Sequence, residues 1–261
     1  MAILVFSESN NYIQDISMEG LVLYLDASKT ASYSGSGNIW NDLSPANNDG
    51  TLITPTYNAG GSGSFSFLPN TDYVDCGTGI SALNLQQLTI SFWLRPGTIT
   101  STNENYLFAL DTPIGIGPYY GIGIDLGNFS SNAYSISTSA GDGVWRFGNN
   151  RRSADTTDRV VIKDVWQMMT FVYTSAQSVK IYRNGVEITN LTYSGTYFGT
   201  NIASSYGSGR TRIAHRWGGG GGGSGVPNSF NGFMNDVIVY SRALEQAEVV
   251  SIYNIKSSKY L

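Results

Sequence analysis

One cysteine and one histidine stand in 261 residues, and only 13% of the chain is charged. With Cys76 alone, no internal disulfide can form, and redox compartment leaves no mark on the sequence. Neither a zinc-type Cys/His spacing nor an EF-hand loop is present. No stretch approaches the roughly 20 apolar residues that cross a bilayer, so membrane insertion is not expected. The apolar run Ala2 to Phe6 is too short for a signal-peptide core, and no Lys or Arg precedes it. That suits a chain kept in the cytoplasm or released by lysis, although a secreted chain stripped of its leader would look the same. The net charge of -4 lacks the basic excess of nucleic-acid binders, so nucleic acid is not an expected partner. Arg151, Arg152, Arg210, Arg212 and Arg216 leave two readings, a local basic patch or scattered solvated arginines.

Lys, Glu and Ala, which build helical surfaces, are scarce outside the C-terminus. In their place are 31 Gly and 17 Tyr, with many Ser, Thr and Asn, a mix that suits strands joined by turns. Leu88, Ile90, Phe92 and Leu94 alternate with Thr89, Ser91 and Trp93, the period of a strand with one buried face. Ile122, Ile124 and Leu126 alternate with Gly121, Gly123 and Asp125 in the same way. Val179, Ile181 and Val186 flank Asn184-Gly185, a pair that tolerates the positive φ of a type I′ hairpin turn. Further strands are expected at Leu21–Asp26, Phe65–Leu68, Tyr106–Leu110, Tyr134–Thr138, Val144–Phe147, Arg159–Ile162, Met168–Thr174, Thr211–His215 and Val237–Tyr240. Leu244, Glu245, Ala247, Glu248, Val249, Ile252 and Tyr253 fit a short closing amphipathic helix. The glycine-rich stretches Asn58–Ser64 and Gly218–Gly225 read as surface loops within one domain, because strand patterns resume beyond each.

Four stretches resemble the laminin-G-like jelly-roll family of the concanavalin A-like lectin/glucanase superfamily. The first is Gly20-Leu-Val-Leu-Tyr-Leu-Asp26 with Trp40-Asn-Asp-Leu-Ser44 and Asn47-Asn-Asp-Gly-Thr-Leu52. The second is Phe65-Ser-Phe67 followed by Asp72-Tyr-Val74, and the third is Leu88-Thr-Ile-Ser-Phe-Trp-Leu-Arg-Pro96. The fourth runs from Trp166 through Val179-Lys-Ile-Tyr-Arg-Asn-Gly185 and Phe230-Asn-Gly232 to Asp236-Val-Ile-Val-Tyr240, Arg242-Ala-Leu244 and Glu248. The resemblance implies an all-β fold, a two-sheet antiparallel jelly-roll sandwich with a short C-terminal helix. Residues 20–261 would form that domain, with 1–19 as an N-terminal arm or an extra edge strand. The family places Ser or Thr before the closing helix, where Glu245 stands here, which implies a weaker cap. The opening residues also resemble versions of this domain in virion structural proteins of tailed phages.

Catalysis is not expected. The superfamily's glucanases carry Glu-x-Asp-x-x-Glu, two carboxylates across a glycosidic bond, and no such spacing occurs here. His215 lacks a nucleophile-elbow partner in the sequence and reads as structural. The resemblance implies calcium at the sandwich rim, with Asp236 and Asp26 as leading ligands and Asp72 and Asp75 as further candidates. The alternative is that these aspartates cap turns. Where the superfamily pattern has an acidic pair, this chain has Asn235-Asp236.

For glycans the useful side chains are exposed aromatics that stack on sugar faces. Trp217, Tyr206, Tyr119 and Tyr120 qualify by lying in expected loops, with Arg216 beside Trp217. Trp93 and Trp166 match strand positions and read as core. Six consecutive glycines, Gly218–Gly223, leave open a passive loop or a backbone that orders against a partner. The function expected is a non-catalytic virion structural protein, a phage decoration or fibre-like component assembled in the host cytoplasm. Its partners would be other virion proteins, copies of itself, and cell-surface glycans. The alternative is a secreted, calcium-dependent carbohydrate-binding module.

Overall fold

A computed structural model describes residues 16–68, 71–80, 83, 85–97, 105–111, 120–127, 144–149, 152–156, 162–175, 178–195, 210–216 and 228–260. Among the described residues, nineteen strands and one helix follow in chain order. They are β1 (Leu21–Asp26), β2 (Ile39–Trp40), β3 (Gly50–Ile53), β4 (Thr56–Asn58), β5 (Ser64–Phe67), β6 (Tyr73–Asp75), β7 (Leu88–Pro96), β8 (Asn105–Asp111), β9 (Tyr120–Gly127) and β10 (Val144–Asn149). Then come β11 (Arg152–Thr156), β12 (Gln167–Ser175), β13 (Ser178–Arg183), β14 (Val186–Ile188), β15 (Leu191–Gly195), β16 (Thr211–Ile213), β17 (His215–Arg216), β18 (Asn228–Ser229), β19 (Gly232–Tyr240) and α1 (Gln246–Ser257).

All but β17 and β18, which pair with each other, lie in two antiparallel sheets. One runs β14-β13-β12-β7-β19-β5-β4, with β1 also paired to β19. The other runs β15-β11-β10-β9-β8-β16-β6-β3-β2. This is the jelly-roll sandwich with a single closing helix that the motifs imply. Leu23, Leu25, Ile90, Phe92, Leu94, Phe171, Ile181, Val237 and Val239 of the first sheet meet Leu52, Val74, Phe108, Leu110 and Ile213 of the second. Full burial of each such side chain contributes about 1.5–3 kcal/mol.

The opposite face of the first sheet is covered as well, which corrects the expectation of one buried face for β7. Trp93, Met168, Val172, Tyr182, Ile238 and Tyr240 pack under Leu244, Val249 and Ile252 at the helical end of the chain. Thr89 and Ser91 are therefore buried, and each finds a partner. The Thr89 hydroxyl donates to the Arg242 carbonyl at 2.9 Å and accepts from the Leu244 N–H at 3.0 Å. Ser91 and Thr170 hydroxyls meet at 2.8 Å. Glu248 closes the helix start, accepting from the Glu245 N–H at 2.9 Å while Arg242 binds both its oxygens at 2.9 and 2.6 Å. The missing Ser or Thr cap is thus compensated from inside the first turn.

Asn184 and Gly185 take φ of 52° and 78°, the two positive values a type I′ turn needs, and join β13 to β14. At the chain start, residues 16–19 are not strand, and Ile16 packs with the helix-side cluster. A strand at Arg152–Thr156 was not expected, and the one expected at Thr211–His215 breaks at Ala214, whose φ is 64°. The strand expected at Tyr134–Thr138 and most of that at Arg159–Ile162 lie outside the described residues.

Candidate functional site

The register of β1 on β19 sets Asp26 opposite Asp236, on the face covered by α1. Lys256, in the last turn of the helix, descends between them. Its Nζ donates to Asp26 Oδ2 at 2.8 Å, to Asp236 Oδ1 at 3.1 Å and to the Tyr24 hydroxyl. Lys259 Nζ reaches the same Asp26 carboxylate at 2.9 and 3.2 Å. Burial works against the Asp26 charge, but Lys256 and Lys259 outweigh it and hold its carboxyl well below the usual range. At Asp236 burial prevails, helped by Asp26 and opposed by Lys256, and the carboxyl is pushed up to about 7. Burial likewise opposes the Lys256 charge, and Asp236 and Asp26 overcome it and raise its pKa.

These aspartates do not fit a calcium ion as they are placed. Calcium wants six to eight hard oxygens, and here an ammonium group holds the position between the two carboxylates. Asn235, beside Asp236, donates its side-chain amide to the carbonyls of Ser62 and Gly63, which an ionised carboxylate cannot do. Asp72 accepts from the Leu68 N–H at 2.8 Å and from the hydroxyls of Thr54 and Thr71 at 2.6 and 2.7 Å. Asp75 accepts from the Gly77 N–H at 2.9 Å and pairs with Arg210 at 2.7 Å. Both are turn-closing residues. Among the described residues, no three His, Cys, Asp or Glu side chains converge.

Next to the charged cluster lies a cleft of about 640 Å³, on the helix side of the first sheet. Three chain segments build it. The register of β19 on β7 places Phe233 opposite Arg95, and the Arg95 guanidinium lies 4.2 Å from the Phe233 ring centroid. The turn before β12, closed by Gln167 Nε2 donating to the Ile162 carbonyl at 2.7 Å, sets the half-buried Trp166 at the rim. After the helix, Tyr260 stacks on buried Trp93 at 4.3 Å between ring centroids and leans on Trp166 at 4.9 Å. The glycine-rich loop between β4 and β5 forms the facing wall from Asn58 to Ser64. Gly63 sits at φ 74°, and a Cβ there would lie 2.8 Å from the Ala27 carbonyl oxygen, so the loop can approach this closely only as glycine. Ser62 Oγ donates to the Lys259 carbonyl at 2.6 Å, tying loop and tail together.

Most of the aromatic residues singled out from sequence cannot be compared with the cleft. Tyr206, Trp217 and Tyr119 lie outside the described residues, as does Gly218–Gly223. Tyr120 begins β9 and Arg216 ends β17, and neither is among the cleft's described lining residues. Trp166, read as core, packs against the helix-side cluster and also lines the cleft. Its signal was available in the turn residues before it, since Lys163-Asp-Val165 cannot extend a buried strand. His215 is buried against Tyr73, ring centroids 4.9 Å apart, and burial with Arg212 nearby lowers its pKa to about 4. It is neutral at neutral pH. Asp26 and Asp236, which face each other across Lys256, are buried.

Comparison with known proteins agrees with this architecture. A family model described as the concanavalin A-like lectin/glucanases superfamily matches residues 68–250. No curated protein sequence matches the chain. Among solved structures, domain 4 of AbnA, an extracellular arabinanase of Geobacillus stearothermophilus in complex with arabinotriose, is similar with a TM-score of 0.57 and 17% identity. The match covers 89% of this chain and 98% of that one. The binding domain of Paraclostridial Mosquitocidal Protein 1 is similar with a TM-score of 0.56 and 18% identity, over 90% of this chain and 52% of that one. Trypanosoma rangeli sialidase in complex with sialic acid gives 0.59 and 13%, over 92% of this chain and 33% of the enzyme. At these identities the likeness is one of fold.

Proposed function

The chain belongs to the concanavalin A-like lectin/glucanases superfamily, and on that premise we propose that it is a non-catalytic carbohydrate-binding module. Its ligand lies across the cleft walled by Trp166, Phe233 and Tyr260. The observation that carries this reading is Trp166 itself, a large, partly exposed side chain lining a cleft and packed beside Tyr260. Sugar rings present apolar C–H faces that stack on such side chains, while backbone groups of a loop like Asn58–Ser64 can meet hydroxyls. The arabinanase domain solved with arabinotriose supports the reading, as a domain of this fold in company with a glycan. Among the described residues no pair of carboxylates lines the cleft, which supports binding over hydrolysis.

A printed glycan panel followed by calorimetry tests the proposal. Wild-type protein should bind a subset of glycans, and Trp166→Ala should weaken that binding by roughly tenfold while its circular-dichroism spectrum shows the sandwich still folded. Equal affinity in the two proteins would remove the cleft from the account. The reading as a virion subunit has for support the resemblance of residues 20–52 to phage proteins, and none of the relatives named above is described as one. It requires the chain to be present in purified particles.

A further inference from the structure

The charge lining the cleft is one-sided. Arg95 and Lys259 contribute cations, and no Asp or Glu lines it among the described residues. Lys259 is already engaged, its Nζ on both oxygens of Asp26 and on the Ser28 hydroxyl. Arg95 is not. Its guanidinium lies between the rings of Phe233 and Trp166, 4.2 and 6.0 Å from their centroids, and its Nε is buried without a hydrogen-bond partner. A guanidinium stays charged at any pH the protein meets and carries five donors and no acceptor. The two rings hold it in place through its face and offer its N–H groups nothing to bond. Nε itself is sealed off, so an anion in the cleft meets the terminal Nη donors, where it forms a charge-assisted pair that no described residue supplies.

We propose that the cleft is selective for acidic sugars, with the carboxylate of a uronic or sialic acid unit pairing with Arg95 and the sugar ring lying against Trp166. This rests on the carbohydrate-binding reading and specifies its ligand class. A planar carboxylate matches the planar fork of a guanidinium, which can hold both its oxygens at once. One unengaged cation matches one negative charge. The volume falls within the range of small-ligand sites, which leaves room for a sugar unit beside the acid group.

The test uses the full chain on a glycan panel holding neutral, carboxylated and sulfated members, with every carboxylated glycan paired to its carboxyl-reduced alcohol. The bound members should be carboxylated, and reduction to the alcohol should weaken binding by roughly tenfold to a hundredfold, the loss of a charged hydrogen-bonded pair. Arg95→Gln should lose the acid preference, and Arg95→Lys, which keeps the charge without the fork, should recover only part of it. The comparison of acid with alcohol on wild-type protein stands even if a variant fails to fold. Binding to neutral glycans that Trp166→Ala abolishes and Arg95→Gln leaves intact would overturn the acid selectivity while keeping the carbohydrate reading. Binding of sulfated members without carboxylates at equal strength would also overturn it, as a general anion site. Silence across the whole panel would overturn both.

Discussion

A lysine ammonium group 2% exposed between two aspartates is an expensive thing to bury, and the fold spends three polar partners on it. Lys256→Met isolates the effect, because methionine fills similar volume without charge. Removing one partner of a buried pair typically costs about 3–5 kcal/mol, so the variant should melt well below the wild type. The deficit should also depend on pH. The folded-state pKa of Asp236 already lies above its ordinary value, so its share of stability is full at low pH and lost as pH rises through about 7. Lys256 restrains that rise, and without it the loss reaches further. Denaturant titrations at pH 5 and pH 8 should therefore show the larger deficit at pH 8. A deficit equal at both would mean that the lysine acts by packing alone. The same residue decides what was legible at this scale. Asp26 and Asp236 could be paired from the family's motifs, but their partner sits twenty residues beyond Asp236 on a helix face that reads as ordinary surface.

At the scale of elements, alternation and turn chemistry carried most of the reading. Asn184-Gly185 announced its hairpin, and the structure adds a second constraint, since a Cβ on Gly185 would meet Val250 and Tyr253 of the helix at 3.5 Å. Gly185→Val forces a β-branched side chain to positive φ at that contact, and should lower stability by more than about 1 kcal/mol. An unchanged melting temperature would argue against the turn. Alternation in β7 misled in one respect. Thr89 and Ser91 look like solvent-facing positions, yet the helix covers them and they bond beneath it. A period of two tells which residues share a face and says nothing of what lies over it. The motif Trp40-Asn-Asp-Leu-Ser44 was recognised without its reason. Asp42 accepts from the N–H groups of Tyr24, Ser44 and Asn48, each at 2.8 Å, and so pins the first strand to the loop that follows.

At the scale of the molecule, the motifs spread over Gly20 to Tyr253 were sufficient for the sandwich, because each sits in a strand or turn that the sheets need. The cleft was not legible. Its walls come from Asn58–Ser64, Arg95, Trp166, Phe233 and Tyr260, residues that no sequence period brings together and that only sheet order and the helix position assemble. Aromatics in expected loops point to Trp217, whereas the structure offers Trp166 at the head of a strand. The chain has five tryptophans, Trp40, Trp93, Trp145, Trp166 and Trp217, so the indole N–H signals of nitrogen-15-labelled protein separate the two assignments directly. Titrating the glycan with the strongest panel signal should shift the Trp166 indole resonance most, identified by its loss in Trp166→Phe. Movement of the Trp217 resonance with Trp166 unmoved would contradict the account and return the ligand to the glycine-rich loop.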